Sequence, residues 1–495
     1  MVARVPELTT EGGASGWLDG FLSDWRPGSG KAREMREPAT GRPLLSVPQS
    51  TVDDVRRAIA AAAAAQPAWA EMNYQERSAI LRRAADIYEA HRPEFGTWTQ
   101  RETGAHRNKM HHEQNFTTQE LLAASTMPSQ PLGSLLPSAQ PGRLSMVRRV
   151  PVGVVAAITP WNSPSVLGMR VIAPALALGN AVVLKPDPQT PVCGAAVFAA
   201  IFVEAGLPEG LLQIVVGDAE VGEALVTDPN VSMVSFTGST EVGRRVGGLA
   251  GGLLKKVSLE LGGNNPFVIC DDADLEAAAS AGAYSSFQFQ GQVCFAVGRH
   301  IVHRSVVDDY VDLLSAKARR LRLGDPYRED VDLGPIVNEQ QLARVDGIVR
   351  RSVDGGARVA EGGTHDGLFY RPTVLADVTT ELPAWTDEIF GPVAPVITFD
   401  TDAEAIALAN SSEYGLAAGV YSRSISRGLS IANKIKAGMV HVNDQTINDE
   451  AIIPFGGFGV SGNGSRFGGE ANYEAFTGWQ WVTVRDEPKT FSHPY

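Results

Sequence analysis

The sequence has few cysteines, a deficit of positive charge and no long apolar run. Three cysteines among 495 residues form no disulfide framework and favour a reducing compartment, the cytoplasm. The 43 Lys and Arg against 56 Asp and Glu leave a net charge of −13, which disfavours nucleic acid and anionic membranes as partners because both attract concentrated positive charge. No stretch approaches the about 20 apolar residues of a membrane span. The first seven residues lack the apolar core of a secretory signal.

The chain is long enough for two or three domains, since a single core stops growing at about 250–300 residues. From residue 150 onward, short apolar runs alternate with helix-like segments, a pattern typical of a parallel sheet covered by helices. A second strand–helix series begins near Asn265. The sequence therefore predicts two consecutive α/β domains that change over at residues 262–265. The first strands are predicted at 152–158, 181–184, 212–216 and 231–236.

Two helices and one excursion are predicted before this alternation. Thr51 precedes an Ala-rich segment, which predicts a helix over 52–70 capped by the threonine hydroxyl. Apolar periodicity predicts a second helix over 74–91. Residues 128–149 are rich in Pro, Ser and Gly, which is typical of a connector or an excursion from a domain.

Cys294 is the candidate nucleophile. It lies in a small polar segment with Gly291, which indicates a backbone-lined, partly accessible pocket where a thiol can be activated. A lone cysteine is more often a small buried hydrophobe. We assign that structural role to Cys193, in the middle of a predicted helix, and to Cys270, at a strand end. For Cys294 the neighbouring motifs favour the nucleophile.

Glu260 and Asn162 are candidates for a general base and an amide donor. Glu260 lies in a strand-like run that ends on two glycines, where a bend can turn the carboxylate into a cavity and burial would raise its pKa. Asn162 lies between prolines, which suits a preorganised donor to an oxyanion. The simpler alternatives are a solvent-facing strand carboxylate and an ordinary Asn turn. A thiol, a carboxylate and an amide donor are the groups needed to oxidise an aldehyde through a thioester.

Two segments suit a dinucleotide. Lys185 ends a predicted strand, where open α/β sheets bind ligands, and its ammonium suits ribose hydroxyls or phosphate. Residues 236–243 form a Gly-Ser turn into a helix, so Ser239 and free N–H groups can meet a pyrophosphate. The fingerprint Gly-x-Gly-x-x-Gly at 457–462 is rejected, because no convincing strand feeds it and no βαβ unit has room. We predict a loop near the active site there, and no metal site.

Seven motifs in this order make the chain resemble the aldehyde dehydrogenase superfamily over almost its whole length. They lie at 159–162, 185–186, 236–239, 259–263, 291–294, 388–392 and 454–457. The resemblance implies an α/β, aldehyde dehydrogenase-like fold of two consecutive parallel-sheet domains plus a small β arm for oligomerisation, in a homodimer or homotetramer. The implied division is a dinucleotide-binding domain (1–129 and 150–262), a catalytic domain (263–445), the arm (130–149 and 478–490) and an active-site-proximal loop region (446–477).

The resemblance also implies a role for each group. Cys294 attacks the aldehyde, Asn162 and the Cys294 N–H hold the oxyanion, hydride passes to NAD or NADP, and Glu260 activates the water that hydrolyses the thioester. Many NAD-preferring relatives carry a ribose-binding glutamate where this chain has Pro188; its loss removes a repulsion against a 2′-phosphate, so we expect NADP to be accepted. The implied cofactor-binding residues are Thr159, Trp161, Lys185, Pro188, Gly217, Gly238, Ser239, Glu388 and Phe390.

Finer likeness points to the benzaldehyde and vanillin dehydrogenase branch, and therefore to a small-molecule aromatic aldehyde. The segments that carry it are 185–188, 262–265, 298–300, 441–446 and 461–469. The expected substrate walls are Val166, Leu167, Arg170, Gln288, Val293, Phe295 and Phe455.

Three alternatives were weighed against this interpretation. Arg170 stands where succinic semialdehyde dehydrogenases carry a carboxylate-binding arginine, which would favour a carboxylated aliphatic aldehyde; an internal salt bridge accounts for it equally well. A CoA-acylating enzyme is disfavoured, because many of those lack the base glutamate and Glu260 is present. A catalytically silent binding protein on the same scaffold is disfavoured by the joint retention of Cys294, Glu260 and Asn162.

Overall fold

A computed structural model describes residues 16–491 of the chain. The predicted lack of a secretory signal falls on the first seven residues, outside this range. Between residues 16 and 491, no helix is both long and apolar enough to cross a membrane.

Sixteen α-helices occur in residues 16–491. They are α1 (Trp17–Asp24), α2 (Val52–Glu71), α3 (Tyr74–Ala90), α4 (Arg92–Thr103), α5 (Arg107–Thr126), α6 (Pro164–Ala177), α7 (Val197–Glu204), α8 (Ala219–Thr227), α9 (Thr240–Gly252), α10 (Leu275–Phe287), α11 (Val307–Arg320), α12 (Glu339–Asp354), α13 (Pro383–Thr386), α14 (Asp402–Ala409), α15 (Ile425–Ala432) and α16 (Ala471–Phe476).

Twenty-one strands occur in the same part of the chain. They are β1 (Ala32–Arg36), β2 (Pro43–Pro48), β3 (Gly133–Leu136), β4 (Arg143–Pro151), β5 (Val154–Ile158), β6 (Ala181–Lys185), β7 (Leu212–Ile214), β8 (Val231–Thr237), β9 (Lys256–Glu260), β10 (Asn265–Ile269), β11 (Val297–His303), β12 (Arg358–Glu361), β13 (His365–Asp366), β14 (Phe369–Tyr370), β15 (Thr373–Ala376), β16 (Val393–Phe399), β17 (Tyr414–Gly415), β18 (Ala417–Tyr421), β19 (Met439–Val442), β20 (Phe458–Gly459) and β21 (Thr477–Arg485).

The two helices predicted near the amino terminus are present as α2 and α3. Helix α2 begins with a capping box, because the Thr51 hydroxyl accepts the N–H of Asp54 at 3.2 Å and the Asp54 carboxylate accepts the N–H of Thr51 at 2.8 Å. These two bonds satisfy N–H groups that a helix start otherwise leaves free.

Two consecutive sheets confirm the predicted α/β fold. The first has five parallel strands in the order β7-β6-β5-β8-β9. The second has the order β12-β15-β16-β11-β10-β18-β19, and only β12 runs antiparallel to its neighbour. Strands β6 and β10 are buried along their whole length, which is why they appear in the sequence as continuous apolar runs.

Helices cover both faces of the second sheet. Val268 belongs to one apolar cluster, whereas its neighbours Phe267 and Ile269 belong to another, since successive side chains of a strand point to opposite faces. A third and larger cluster surrounds the first sheet and includes residues of α2, α3, α6 and α7.

The parallel register of the first sheet brings its strand ends together. Ile158 of β5 pairs with Lys185 and with Phe236, and Thr237 of β8 pairs with Glu260 of β9. The segments that follow these strands therefore meet at one edge, where sheets of this kind bind ligands.

Two local predictions need correction or detail. Cys193 is the second residue of a π-helical turn, Val192–Ala196, that leads into α7, and so it lies at the start of the helix instead of its middle. It is buried there, and Cys270 is buried directly after β10. The rejected fingerprint at 457–462 contains only β20, which pairs antiparallel with β17 and forms no βαβ unit.

The predicted excursion and the predicted carboxyl-terminal strand form a separate three-stranded antiparallel sheet. Strand β4 lies between β3 and β21, and β21 pairs with β4 along nine residues. Large apolar side chains project from this sheet into solvent, including Leu135, Trp479 and Trp481.

Candidate active site

Cys294, Glu260 and Asn162 line one cavity of about 120 Å³ at the carboxyl edge of the first sheet. An adjoining smaller cavity shares Glu260 and Cys294 and is also lined by Arg170 and Phe455. The three residues chosen from the sequence for their chemistry are therefore brought together, although they lie on three different segments of the chain.

The loop before Cys294 has an unusual backbone. Phe289, Gln290 and Gly291 have φ values of +51°, +56° and +66°. These values lie in the left-handed region, which residues other than glycine seldom adopt. A Cβ on Gly291 would lie 2.1 Å from the carbonyl oxygen of Gly391. Glycine is therefore required at 291, and the strained turn directs the chain toward Cys294.

Hydrogen bonds from the Asn265 side chain fix the backbone at Cys294. Its side-chain amide donates to the carbonyl oxygens of Cys294 at 3.0 Å and Ala296 at 2.6 Å, while its Oδ1 accepts the N–H of Ala417 at 2.8 Å. The sequence offered Asn265 only as part of a branch motif. Its role as an anchor depends on β10 and β18 being neighbours in the sheet. A local sequence pattern does not predict that two distant strands are neighbours.

The surroundings of Cys294 favour the protonated thiol over the thiolate. Burial raises its pKa above the ordinary cysteine value, and the negative charges of Glu388 and Glu260 raise it further. Attack on a carbonyl requires the thiolate. A neighbouring group must therefore accept the thiol proton during the reaction.

Asn162 is buried and points its amide toward the cysteine loop. Its Nδ2 donates to the carbonyl oxygen of Gln292 at 3.1 Å, which uses one amide hydrogen and leaves the second for another acceptor. Its own carbonyl oxygen accepts Lys109 Nζ at 2.8 Å. One hydrogen bond thus holds the side-chain amide of Asn162, and another holds its backbone.

A buried ion pair on α5 supports the Asn162 segment. Lys109 pairs with Glu113 one turn later, and Glu113 Oε1 accepts the N–H of Ser165 at 2.8 Å, at the start of α6. Lys109 Nζ also lies 4.3 Å from the centroid of the Phe289 ring. One lysine therefore touches both the Asn162 backbone and the loop before Cys294.

Glu260 is buried at the end of β9, and neither of its carboxylate oxygens has a hydrogen-bond donor within residues 16–491. Burial raises the pKa of Glu260 well above its usual value, against the opposing positive charges of Arg466 and Arg170. A Cβ on Gly456 would lie 2.7 Å from Glu260 Oε1, so the loop region predicted to be near the active site does reach it. An unpartnered carboxylate of raised pKa suits a general base.

Lys185 lies where a ribose or phosphate would be held. It is buried at the carboxyl end of β6, and burial lowers its pKa. Among residues 16–491, its Nζ has one long contact, 3.5 Å to the carbonyl oxygen of Pro186. A buried ammonium with so few partners fits the hydroxyl or phosphate oxygens of a dinucleotide.

Ser239 caps α9. Its hydroxyl accepts the N–H of Val242 at 3.4 Å, and its side chain is exposed. Gly238 precedes it, and a Cβ there would lie 2.6 Å from the Phe236 ring. The backbone can therefore approach a ligand closely at the start of a thirteen-residue helix.

Glu388, Trp161 and Phe390 line the same cavity. Burial raises the pKa of Glu388 to about 7, and the N–H of Gly263, which donates to Glu388 Oε1 at 2.9 Å, opposes that rise. The rings of Trp161 and Phe390 meet edge to face at 5.7 Å. Phe390 has a φ of +55°, a strained conformation of the kind found at ligand sites.

The remaining predicted cofactor residues occupy the same edge. Thr159 follows β5, is buried, and donates its N–H to the carbonyl oxygen of Lys185 at 3.1 Å. Gly217 follows Val216 at the end of the β7 segment, and a Cβ there would lie 2.5 Å from Val221. Pro188 is partly buried.

Three charged residues near Lys185 were missed by the sequence reasoning. Asp187 and Asp218 act on the Lys185 ammonium as neighbouring negative charges, and Arg33 acts as a positive one. Arg33 pairs with Asp218 at 3.0 Å. Asp187 was visible two residues after Lys185, whereas Arg33 reaches the site from the distant β1–β2 hairpin and gives no local signal.

Only some of the expected substrate walls reach the cavity. Leu167, Arg170 and Phe455 line it beside Cys294, and the rings of Phe295 and Phe455 meet edge to face at 5.6 Å. Val293 packs in an apolar cluster that includes Phe289 and Ile447. Neither cavity that contains Cys294 is lined by Val166, Gln288, Val293 or Phe295.

Arg170 forms the internal salt bridge that was one of its two sequence interpretations. Its Nε donates to Glu120 Oε1 at 2.9 Å, and its second terminal nitrogen donates to Asp449 Oδ2 at 2.6 Å. Burial alone would lower the pKa of Arg170, but Asp449 and Glu120 together raise it above the ordinary value. The positive charge of Arg170 is therefore paired with two carboxylates of the protein.

Comparison with known proteins agrees with this geometry. Residues 25–482 match the Aldehyde dehydrogenase family. A vanillin dehydrogenase of an Amycolatopsis species is 50% identical over 94% of this chain and 96% of its own length. A benzaldehyde dehydrogenase [NAD(+)] of Pseudomonas putida is 47% identical over 95% of this chain and 97% of its own.

A solved structure supports the same assignment. The crystal structure of a Staphylococcus aureus betaine aldehyde dehydrogenase in complex with NAD+ superposes with a TM-score of 0.91 at 30% identity, over 95% of this chain and 97% of that one. The chain therefore belongs to the aldehyde dehydrogenase family and is an oxidoreductase of that class.

Proposed function

We propose that this protein oxidises an aromatic aldehyde to the carboxylic acid with NAD or NADP. The observation that carries the proposal is the meeting of a thiol, an unpartnered carboxylate and a held amide in one cavity. The vanillin and benzaldehyde dehydrogenases that are about half identical to the chain support the aromatic substrate. The aromatic rings of Phe295 and Phe455 beside Cys294 suit a planar ring.

The reaction begins at Cys294. Glu260, which lines the same cavity, accepts the thiol proton and later releases it to solvent. The Cys294 Sγ forms a bond to the carbonyl carbon, and the carbonyl oxygen becomes an oxyanion. The free amide hydrogen of Asn162 and the backbone N–H of Cys294 stabilise this charge, as preorganised donors do. Lys109 keeps the Asn162 backbone in place for that contact.

Dinucleotide binding is assigned to the edge of the first sheet. Lys185 would hold the adenosine ribose, Ser239 and the α9 N–H groups the pyrophosphate, and Glu388 the nicotinamide ribose. When bound, the nicotinamide supplies the hydride acceptor that converts the thiohemiacetal into a thioester. Pro188 leaves no glutamate to repel a 2′-phosphate, so acceptance of NADP remains part of the proposal.

Glu260 completes the cycle. Its raised pKa and lack of protein donors let it take a proton from a water molecule, which attacks the thioester carbon. The C–S bond breaks, the carboxylic acid leaves, and the thiolate takes the proton that Glu260 received from the water molecule. Hydrolysis in this way consumes one water per aldehyde.

The test is a spectrophotometric assay at 340 nm, the absorbance of the reduced nicotinamide, with benzaldehyde, vanillin and succinic semialdehyde and each cofactor. We expect turnover on the aromatic aldehydes.

Two variants test the roles of the reacting groups. Cys294→Ala should lose turnover by at least about 1,000-fold while cofactor binding persists. Glu260→Gln should accumulate an acyl-enzyme, visible as a mass increase of the intact protein. Full turnover by Cys294→Ala would refute the proposal.

We also propose a division of the chain and an assembly. Residues 1–129 and 150–262 would form the dinucleotide-binding domain and 263–445 the catalytic domain, with 446–477 as the loop region beside the site. The sheet from 130–149 and 478–490 would join subunits of a homodimer or homotetramer. Its solvent-facing apolar side chains support that role, and the unpaired cysteines support a cytoplasmic location.

A further inference from the structure

Arg170 is a buried arginine in the wall of the reaction cavity. Its side chain is 4% exposed, and it lines the small cavity together with Glu260, Cys294 and Phe455. Its guanidinium carbon lies 4.8 Å from the centroid of the Phe455 ring. An arginine in this position is well placed to attract a carboxylate on the substrate.

Two carboxylates already form ion pairs with Arg170, one at Nε and one at a terminal nitrogen. Glu120 comes from α5, and Asp449 comes from the loop region; their side chains are 2% and 7% exposed. One positive charge thus faces two negative partners. Asp449 Oδ1 has no donor within residues 16–491. Arg170 therefore offers no net positive charge to a substrate carboxylate at this wall.

Other charges near Cys294 also disfavour an anionic substrate. Glu388, Glu260 and Asp449 all act on the Cys294 thiol as negative charges, and Arg170 is the opposing positive one. An anionic substrate would meet repulsion from each of these carboxyl groups that is ionised, and it would lose its water shell without gaining an uncompensated positive partner.

We propose that Glu120 and Asp449 are specificity-determining residues, which neutralise Arg170 and thereby make the site reject aldehydes that carry a carboxylate. This inference rests on the proposed oxidation of aromatic aldehydes. It explains how a pocket can use an arginine as a flat packing surface against Phe455 without selecting acidic substrates. Removing one of the two carboxylates should free the guanidinium for a substrate carboxylate.

The test uses two ring aldehydes of similar shape, 4-carboxybenzaldehyde and its neutral methyl ester, and compares their kcat/KM values. The unaltered protein should prefer the ester. Asp449→Asn keeps the shape and one acceptor but removes a charge, and it should shift the kcat/KM ratio toward the acid by about tenfold, the scale of a hydrogen bond to a charged group. Glu120→Gln should shift it in the same direction.

Two controls isolate the cause. Glu450→Gln removes a negative charge one residue from Asp449 without touching Arg170, and its ratio should match that of the unaltered protein. Arg170→Met in the Asp449→Asn background should reverse the gain for the acid. Thermal unfolding of each variant checks that it is folded.

The outcomes separate this inference from the proposed function. If the unaltered protein oxidises the ester and Asp449→Asn leaves the ratio unchanged, the specificity role is refuted and the proposed function stands. A preference of the unaltered protein for the acid refutes the specificity role without any variant. Turnover of no aromatic aldehyde refutes the proposed function itself.

Discussion

Glu388 lies on the border between its neutral and charged forms at neutral pH. Burial raises its pKa to about 7, so the carboxyl is mostly protonated below that pH and ionised above it. Its only protein donor is the Gly263 N–H within residues 16–491. If it holds the nicotinamide ribose, its acceptor strength should change across the physiological range.

Cofactor affinity should therefore increase with pH. A charged acceptor forms hydrogen bonds about twice as strong as a neutral one, so the Kd for NAD should fall several-fold between about pH 6 and about pH 8, on either side of the pKa. The Glu388→Gln side chain stays neutral at every pH. The Kd of this variant for NAD should therefore change less with pH than that of the unaltered protein. Titration calorimetry at several pH values measures both slopes. Equal slopes in the two proteins would exclude Glu388 as the titrating group.

At the scale of single residues, the sequence predicts reacting groups that the structure brings to one cavity, but it gives no sign of the residues that support them. Cys294, Glu260 and Asn162 lie in short motifs whose residue types indicate their chemistry without knowledge of the fold. Lys109 and Asn265 act through partners 53 and 29 residues away. Such contacts depend on which elements become neighbours, and neither periodicity nor composition encodes them.

At the scale of elements, helix α5 is the least expected part of the molecule. Its buried face contains Lys109, Glu113, Gln114, Thr117 and Glu120. Apolar periodicity is the main sequence signal for a helix, and a buried face of polar residues does not produce it. These side chains are tolerated inside because they are paired, Lys109 with Glu113 and Glu120 with Arg170.

Removing the charge of Lys109 should affect stability and turnover together. Lys109→Met leaves Glu113 buried without its partner, which should lower the free energy of unfolding by about 3 kcal/mol. It also frees the Asn162 carbonyl, and displacement of the oxyanion donor should lower kcat by at least about tenfold.

Denaturant unfolding and the 340 nm assay measure these two effects. Arg107→Met is the matched control, since Arg107 is exposed on the same helix and should change neither quantity. A Lys109→Met protein with normal kcat at a temperature where it is folded would show that Lys109 serves stability alone.

The loop at 457–462 shows why a motif needs its structural context. The glycine spacing matches a dinucleotide fingerprint, but the segment lies against β9, where the N–H of Leu261 donates to the carbonyl oxygen of Ser461 at 2.9 Å. Absence of a preceding strand and a following helix in the sequence was enough to reject the fingerprint. The sequence predicts that this loop lies near the active site, but it does not predict that the loop lies beside Glu260.

At the scale of the whole molecule, the three-stranded sheet predicts an association surface. Leu135 on the edge strand β3 is 71% exposed, and an exposed apolar strand edge is a template for pairing with another chain. Leu135→Asp would place a charge in that contact, at a cost of several kcal/mol. Light scattering should then report a mass shifted toward one chain.

Leu254→Asp is the control for this experiment. Leu254 is 94% exposed in the turn after α9, at a φ of +57° that aspartate tolerates. Its variant should keep the assembly of the unaltered protein. A single-chain mass for the unaltered protein would overturn the assembly proposal.

The alternation of strand and helix predicted two sheets, yet their strand orders were not predictable. Strand β10 pairs with both β11 and β18, although 148 residues separate Ile269 from Ala417 in the chain. Side-chain shape and topology, which a pattern of apolar residues does not resolve, decide between such arrangements. The positions of Asn162, Lys185 and Ser239 nevertheless follow from the pattern, because parallel strands deliver the segments after them to the same edge. Cys294 precedes β11, so its place beside them does not follow from this rule.

One helix, α5, connects the oxyanion donor and the arginine in the cavity wall, through Lys109 and Glu120 respectively. A substitution that shifts this helix along its axis would alter the rate and the choice of aldehyde in one step. Laboratory evolution toward new aldehydes should therefore recover paired changes on the inward side of α5, with the second restoring turnover that the first has diminished.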